Sequence, residues 1–394
     1  MVRLTSFLCL VLASVASASP VLQKRAGDVI AGQYIVTFKQ STSNFAPRDV
    51  DALINDILGS VKTNLRRAES AELLHKYDFG SGQLQGFSAK LEADALTKIK
   101  AHPEVQAIEP DTIVTLEGTQ TGLDGGLWGI DSLDGAIDRI YTYPDSAGAG
   151  VDAYVIDTGV TVSHPDLRGR VTWGASFTGE SGTTDGNGHG THVSGTIGGT
   201  TYGVAKKVNI IGVRVLAADG SGSTSGVVAG MNWVADRVKS TGRKSVANMS
   251  LGGGKASAID SAARGLINAN VALAVAAGNS QKDSCTGSPS GVKEAFTVGA
   301  SDVNNRWASF SEFGTCVDII APGVQIKSAW NNGGTNTISG TSMATPHVAG
   351  ALAVAYSQRD FSSPAQAFQY LLSKAKTGAI SGVPSGTPNK FLQI

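Results

Sequence analysis

Gly340-Thr341-Ser342-Met343-Ala344-Thr345-Pro346-His347-Val348-Ala349-Gly350 runs on through Ala351, Leu352 and Val354 to Tyr356. It reads as a glycine-flanked turn opening into an apolar helix, with Ser342 on the first helical turn. A helix start offers unpaired N–H groups and the positive end of the macrodipole, so negative charge developing beside Ser342 is stabilised there. Ser342 is therefore a candidate nucleophile. The same position equally suits a serine acting as a helix cap, and this stretch alone leaves both readings open.

Upstream of that helix the chain alternates continuous apolar runs with helix-like segments. The runs are VDAYVID (151–157), VNIIGVRVL (208–216), SVANMSL (245–251), VALAVAAGN (271–279), EAFTVGA (294–300) and VDIIAPG (317–323). Strands apolar on both faces belong to a parallel sheet covered on both sides. Between them, Val227, Met231, Val234 and Val238 share one helical face, as do Ile259, Ala263 and Ile267, the latter helix opening with Ser257 and Asp260 in capping-box spacing. The pattern predicts an α/β doubly wound domain with a mostly parallel sheet over residues 119–394.

A composition break, EGTQTGLDGGLWG (117–129), separates this domain from a smaller unit before it. There GQYIVTFKQ (32–40) reads as a strand, residues 50–68 as an amphipathic helix and LQGFSAKL (84–91) as a strand. A short helix over 92–104 and a last extended piece, VQAIEPDTIVTLE (105–117), complete it. Strand, helix, strand, helix, strand predicts a small α+β unit of split βαβ, ferredoxin-like type, without a polar cluster that looks catalytic.

Arg3, the apolar run FLCLVLASV (7–15) and Ala16-Ser17-Ala18 fit a secretory signal over residues 1–18, with an A-x-A cleavage site. The run is too short to span a bilayer comfortably, and no second membrane candidate occurs. Residues 19–118 then form the intervening segment, where Lys24-Arg25 is either a dibasic processing site or a solvated pair. Secretion into an oxidising compartment leaves Cys285 and Cys316 to form one bridge once Cys9 departs with the signal. Closing that loop adds roughly 3–4 kcal/mol in the chain-entropy model. The 394-residue chain has formal net charge zero, which removes any electrostatic case for nucleic acid or an acidic membrane surface. Nothing asks for an oligomer, and a monomer is expected. Asn248-Met249-Ser250 matches a glycosylation sequon, but on a core strand it is expected to stay bare.

In a doubly wound sheet the active site lies beyond the carboxyl ends of the strands. The polar residues that end the apolar runs are Asp157, Ser250 and Asn279. Asp157-Thr158-Gly159 ends the first core strand, His189-Gly190-Thr191-His192 opens a glycine-rich helix, and Ser342 follows last. An α/β-hydrolase would run Ser, Asp, His around G-x-S-x-G; the order here is that of the subtilisins. A zinc pair is disfavoured because zincins space their histidines at i, i+4 with a Glu beside the first, and HGTH has neither. His192, His164 and His347 are expected to be structural.

DTGV, GNGHGTHVSGT, SLGGG, AAGN and GTSMATPHVAG together resemble the subtilase family, nearest its proteinase K branch, across residues 119–394. Residues 32–117 resemble that family's inhibitory propeptide. The resemblance implies a secreted serine endopeptidase made as a self-processing zymogen, with polypeptide substrates and its own propeptide as intramolecular inhibitor. It implies Asp157, His189 and Ser342 as the triad and Asn279 as the oxyanion-hole side chain. Gly220-Ser221-Gly222 and Ser250-Leu251-Gly252-Gly253 resemble the strands that flank an extended substrate. The pocket for the residue before the scissile bond then lies between Leu251-Gly252-Gly253 and Ala276-Ala277-Gly278. Neither segment holds an Asp or Glu to pair a buried cation, so large apolar or aromatic residues are expected there. The resemblance further implies structural calcium at Asp318, with backbone carbonyls of Lys293 and Ala295. Self-cleavage is expected near Gly118-Thr119. The rival from another class is a catalytically silent binding protein on the same fold.

Overall fold

The computed structural model describes residues 29–39, 49–62, 71–80, 82–115, 120–121, 127–135, 137, 139 and 141–394. The segment expected to be a signal, with Cys9, the Lys24-Arg25 pair, the end of the helix expected to reach residue 68 and the Gly118-Thr119 bond lie outside them.

The first unit comprises β1 (Val29–Phe38), α1 (Val50–Lys62), β2 (Ala71–Asp78), β3 (Gln85–Leu91), α2 (Ala93–Lys100) and β4 (Val105–Thr115). Sequence periodicity misses β2. It lies at the sheet edge, its residues largely exposed or half-buried, and its sequence AELLHKYD carries charge on both faces instead of alternating. The unit is therefore βαββαβ. One face of its sheet packs Val36, Phe38, Phe87 and Ala89 against Ile54 and Ile57 of α1 and Ile99 of α2. The other face turns toward the larger domain.

That domain continues with β5 (Gln120–Thr121), α3 (Trp128–Asp131), β6 (Asp152–Asp157), β7 (Val171–Ser176), α4 (His189–Gly198), β8 (Asn209–Arg214) and β9 (Ser221–Ser223). Next come α5 (Thr224–Thr241), β10 (Ser245–Met249), β11 (Gly253–Gly254), α6 (Ser257–Asn268), β12 (Val271–Ala276), β13 (Gly287–Ser288) and β14 (Phe296–Ser301). It closes with β15 (Ile319–Pro322), β16 (Ile326–Ala329), β17 (Thr335–Ser339), α7 (Thr341–Gln358), α8 (Pro364–Lys374), β18 (Lys376–Thr377) and β19 (Lys390–Phe391). The main sheet has strand order β18-β19-β15-β14-β12-β10-β6-β8-β7, antiparallel only at its β18 edge.

Each apolar run feeds both faces of this sheet. In β6, Val155 joins one core with α4, α7 and α8, while Tyr154 and Ile156 join the other with α5 and α6. Residues 341–356 of α7 are buried throughout, which explains why that helix is apolar on all sides. The chain leaves β6 toward β7 and β8 but later builds β10 on its opposite side, so the direction of winding reverses between β6 and β10. A crevice opens at such a reversal, beyond the carboxyl ends of those strands.

The two units join through β4 and through the outer face of the small sheet. Ile35, Tyr77, Phe79 and Leu84 belong to the same apolar cluster as α5 and α6. Phe79 packs so closely on α6 that a Cβ on Gly265 would lie 2.4 Å from its ring. Burying an aromatic side chain of this kind is worth roughly 1.5–3 kcal/mol.

Candidate active site

Asp157 is the last residue of β6 and His189 the first of α4, so the crossover from strand to helix brings a carboxylate and an imidazole to the same crevice. Asp157 Oδ1 lies 2.8 Å from His189 Nδ1, and both residues are buried. A carboxylate can only accept, so Nδ1 of the neutral ring carries the proton and Nε2 the lone pair. That Nε2 is buried and has no hydrogen-bond partner among the described residues. Asp157 Oδ1 also accepts from the Thr158 amide at 2.7 Å. The close approach of strand end to helix start requires Gly190: a Cβ there would fall 2.1 Å from the Gly159 carbonyl oxygen.

Ser342 is the second residue of α7, buried, and its Oγ donates to the Ser250 carbonyl oxygen at 3.1 Å. Ser250 Oγ in turn donates to the Ser342 carbonyl at 2.7 Å and accepts from Asn248 Nδ2 at 2.9 Å. The Ser250 side chain thus clamps the start of α7 from within, and Asn248, the sequon residue, is enclosed in β10. Asn279, just past β12, accepts through Oδ1 from the Thr341 amide at 2.8 Å and from Thr341 Oγ1 at 3.1 Å. With the oxygen end of its amide so held, the Nδ2 end supplies the donors.

Three other histidines each bind a backbone carbonyl: His164 Nε2 with Gly334 (2.8 Å), His192 Nε2 with Ile326 (2.9 Å) and His347 Nδ1 with Met343 (2.8 Å). Burial lowers His192 to about 3 and His347 to about 4, so both stay neutral at ordinary pH. His164 and His192 thus each tie two segments of backbone together, and His347 is held within α7, as a structural role requires.

The edge strand expected to receive substrate is occupied by the chain itself. β4 pairs antiparallel with β9, Val114 opposite Gly222 and Thr115 opposite Ser221, just after Gly220. β5 pairs with β17 immediately before α7, Gln120 opposite Ser339. The second flank is less regular. Leu251 and Gly252 are buried, and only Gly253 and Gly254 form a strand, paired with β13. Facing it, Ala276, Ala277 and Gly278 are buried and small. Gly278 has φ of +114°, and a Cβ there would lie 2.4 Å from the Glu312 carboxyl carbon. Glu312 was invisible to a reading of the two segments alone, because it arrives from a distant loop. Its buried carboxylate faces Lys282, Nζ to Oε1 3.5 Å.

The capping box expected at α6 is not made. Ala256 is its N-cap, and Glu109 of β4 takes over: Ser257 Oγ donates to Glu109 Oε2 at 2.5 Å and the Ala258 amide to Oε1 at 2.8 Å. At α5, Asp111 accepts from the Ser225 amide at 2.9 Å and from the Ser225 hydroxyl. One strand of the small unit therefore delivers carboxylates to two helix N-termini of the large one, where the dipoles favour them. Burial pushes the Asp111 carboxyl up, so this cap is kept against a desolvation cost. Asp111→Ala in a full-length Ser342→Ala chain is expected to lower stability by about 0.5–2 kcal/mol, read by urea titration. No change would mean that the cap contributes nothing to docking.

Cys285 and Cys316 are bridged, with Cα atoms 5.3 Å apart, across the loop that follows Asn279. Asp318, Lys293 and Ala295 line one cavity of about 590 Å³. Asp318 Oδ2 accepts from the Thr297 amide at 2.8 Å, and burial pushes its carboxyl up to about 7. Among the described residues no three His, Cys, Asp or Glu side chains gather as a metal cage. A cation here would be held by one carboxylate and backbone carbonyls, a donor set that fits a hard, oxygen-seeking ion.

Comparison with known proteins agrees with this geometry. The subtilase family matches residues 148–389, and the peptidase inhibitor I9 family matches residues 33–117. The chain is 45% identical to the subtilisin-like serine protease AsES of Sarocladium strictum, over 88% of this chain and 91% of that protein. It is 40% identical to a cuticle-degrading protease of Metarhizium anisopliae, over 95% of this chain and 92% of the relative. The crystal structure of a cold adapted subtilisin-like serine proteinase superposes with a TM-score of 0.65 at 49% identity, covering 68% of this chain and 97% of that one. A doubly wound sheet, a carboxylate–imidazole pair at its winding reversal and a docked βαββαβ unit accord with these matches: the chain belongs to the subtilase family of serine peptidases and carries an I9 propeptide ahead of its peptidase domain.

Proposed function

We propose that the protein is a secreted, self-processing serine endopeptidase whose chemistry is carried by Asp157, His189 and Ser342. The observation that carries this reading is the 2.8 Å Asp157–His189 contact with a buried, lone-pair-bearing Nε2 on the far side of the ring. The reaction requires Ser342 Oγ to exchange the Ser250 carbonyl for His189 Nε2 as its hydrogen-bond acceptor, through rotation about the Ser342 Cα–Cβ bond. Nε2 then takes the Ser342 proton as Oγ attacks the scissile carbonyl carbon. The imidazolium, stabilised by Asp157, returns that proton to the leaving amine as the C–N bond breaks, and water repeats the sequence on the acyl-enzyme. Asn279 Nδ2 and the Ser342 amide donate to the oxyanion.

The domain limits follow: a signal over 1–18, the inhibitory segment over 19–118 and the peptidase over 119–394. Pairing of β4 with β9 and of β5 with β17 anchors the chain on both sides of the Gly118-Thr119 bond, which supports self-processing at that point. Polypeptide substrates replace β4 on β9 by strand addition. Small walls at Gly252 and Ala277, with Glu312 already opposed by Lys282, favour a large apolar or aromatic residue before the cut. Asp318 and the backbone carbonyls of Lys293 and Ala295 would hold a calcium ion, which would neutralise the buried Asp318 carboxylate.

The test is to treat the processed protein with phenylmethylsulfonyl fluoride and to map cleavage sites on a denatured substrate. One adduct at Ser342, loss of activity and cuts after apolar or aromatic residues are expected. No adduct would favour the silent binding protein, and cuts mainly after Lys or Arg would overturn the pocket reading.

A further inference from the structure

Asp185 lies four residues before His189, is buried, and has no part in the steps above. Its carboxylate nonetheless collects five donors. Oδ1 accepts from Thr158 Oγ1 at 2.9 Å, the Asn187 amide at 3.0 Å and the Gly188 amide at 2.8 Å. Oδ2 accepts from the Thr191 amide at 2.9 Å and Thr191 Oγ1 at 2.6 Å. A carboxylate offers about four lone-pair sites, so this one is saturated by its own protein and holds nothing else. Its backbone carbonyl accepts from Asn331 Nδ2 at 3.0 Å, which fixes the residue from a third direction.

The donors come from two segments that have to be in register. Thr158 directly follows Asp157; Asn187, Gly188 and Thr191 flank His189. Thr158 Oγ1 also accepts from the Gly190 amide at 2.9 Å, so Thr158 and Asp185 together stitch the end of β6 to the first turn of α4. An amide in place of the carboxylate keeps the shape but turns an NH₂ group toward donors, breaking one side of the stitch.

We propose that Asp185 is a positioning residue of the reaction, which fixes the distance and angle between Asp157 and His189 through Thr158 and the start of α4. This rests on the triad reading given above. A slack of the order of 1 Å in such a contact costs about 10²-fold in turnover.

The experiment compares Asp185→Asn, Thr158→Val and Thr158→Ser, each with active sites counted by an irreversible inhibitor so that misfolded protein is excluded. Per active site, kcat is expected to fall about 10²-fold in Asp185→Asn and about tenfold or more in Thr158→Val, with KM within threefold. Thr158→Ser, which keeps the hydroxyl, restores most of the loss. Where Asp185→Asn yields no mature enzyme, the Thr158 pair decides. Equal kcat in Thr158→Val and Thr158→Ser, or a change confined to KM, overturns the proposal. Failure of the triad reading looks different: Ser342→Ala would then keep its activity.

Discussion

A Ser342→Ala protein is expected to fold, to remain joined to its propeptide, and to hydrolyse peptides about 10⁶-fold more slowly than the wild type. That magnitude is the one known for subtilisins, not one calculated from this structure. Folding survives because among the described residues Oγ makes a single hydrogen bond, to the Ser250 carbonyl, and one such bond is worth about 1 kcal/mol. Activity does not, because Ser342 Oγ is the nucleophile of the proposed reaction and alanine offers none. The measurement is the mass and N-terminal sequence of the secreted variant beside its rate on a peptide substrate. Processing identical to the wild type would show that another peptidase matures the chain, and would sink the self-cleavage reading while leaving the triad to stand on the rate.

Asn279→Ala is expected to lower kcat by about 10²–10³ with little change in KM, the loss associated with one oxyanion donor in subtilisin. The split follows from when the bond matters: a donor aimed at the carbonyl oxygen binds it far more strongly once it becomes an oxyanion, so substrate affinity is nearly untouched. The alanine also deprives the Thr341 amide and hydroxyl of an acceptor at the start of α7. Asn279→Asp separates the two effects. It keeps an oxygen for Thr341, removes the donor and adds repulsion, so its kcat is expected to fall at least as far. A near-normal kcat in Asn279→Asp would remove Asn279 from the oxyanion site.

The larger domain was legible because a sheet buried on both faces writes itself as unbroken apolar runs, and the crevice because polar residues end those runs at Asp157, Ser250 and Asn279. Local periodicity carries no record of what a distant segment does. It assigned the α6 cap to Ser257, whereas Glu109 arrives from β4 to do it. It passed over β2, whose edge position lets charged residues occupy both faces. The two pocket segments contain no acid, yet Glu312 reaches Gly278 from within the loop that the Cys285–Cys316 bridge closes. Asp185 was in plain view inside GNGHGTH's flank, yet only its five donors distinguish it from an ordinary turn aspartate.

Glu109, Asp111, Tyr77 and Phe79 all meet the peptidase domain through α5 and α6. Severing the chain after Gly118 removes none of those contacts. On the proposed self-processing, scission and the onset of activity are two separate moments, and the lag between them is a lifetime set by the outer surface of two helices, adjustable by substitutions there without touching any group proposed to handle substrate.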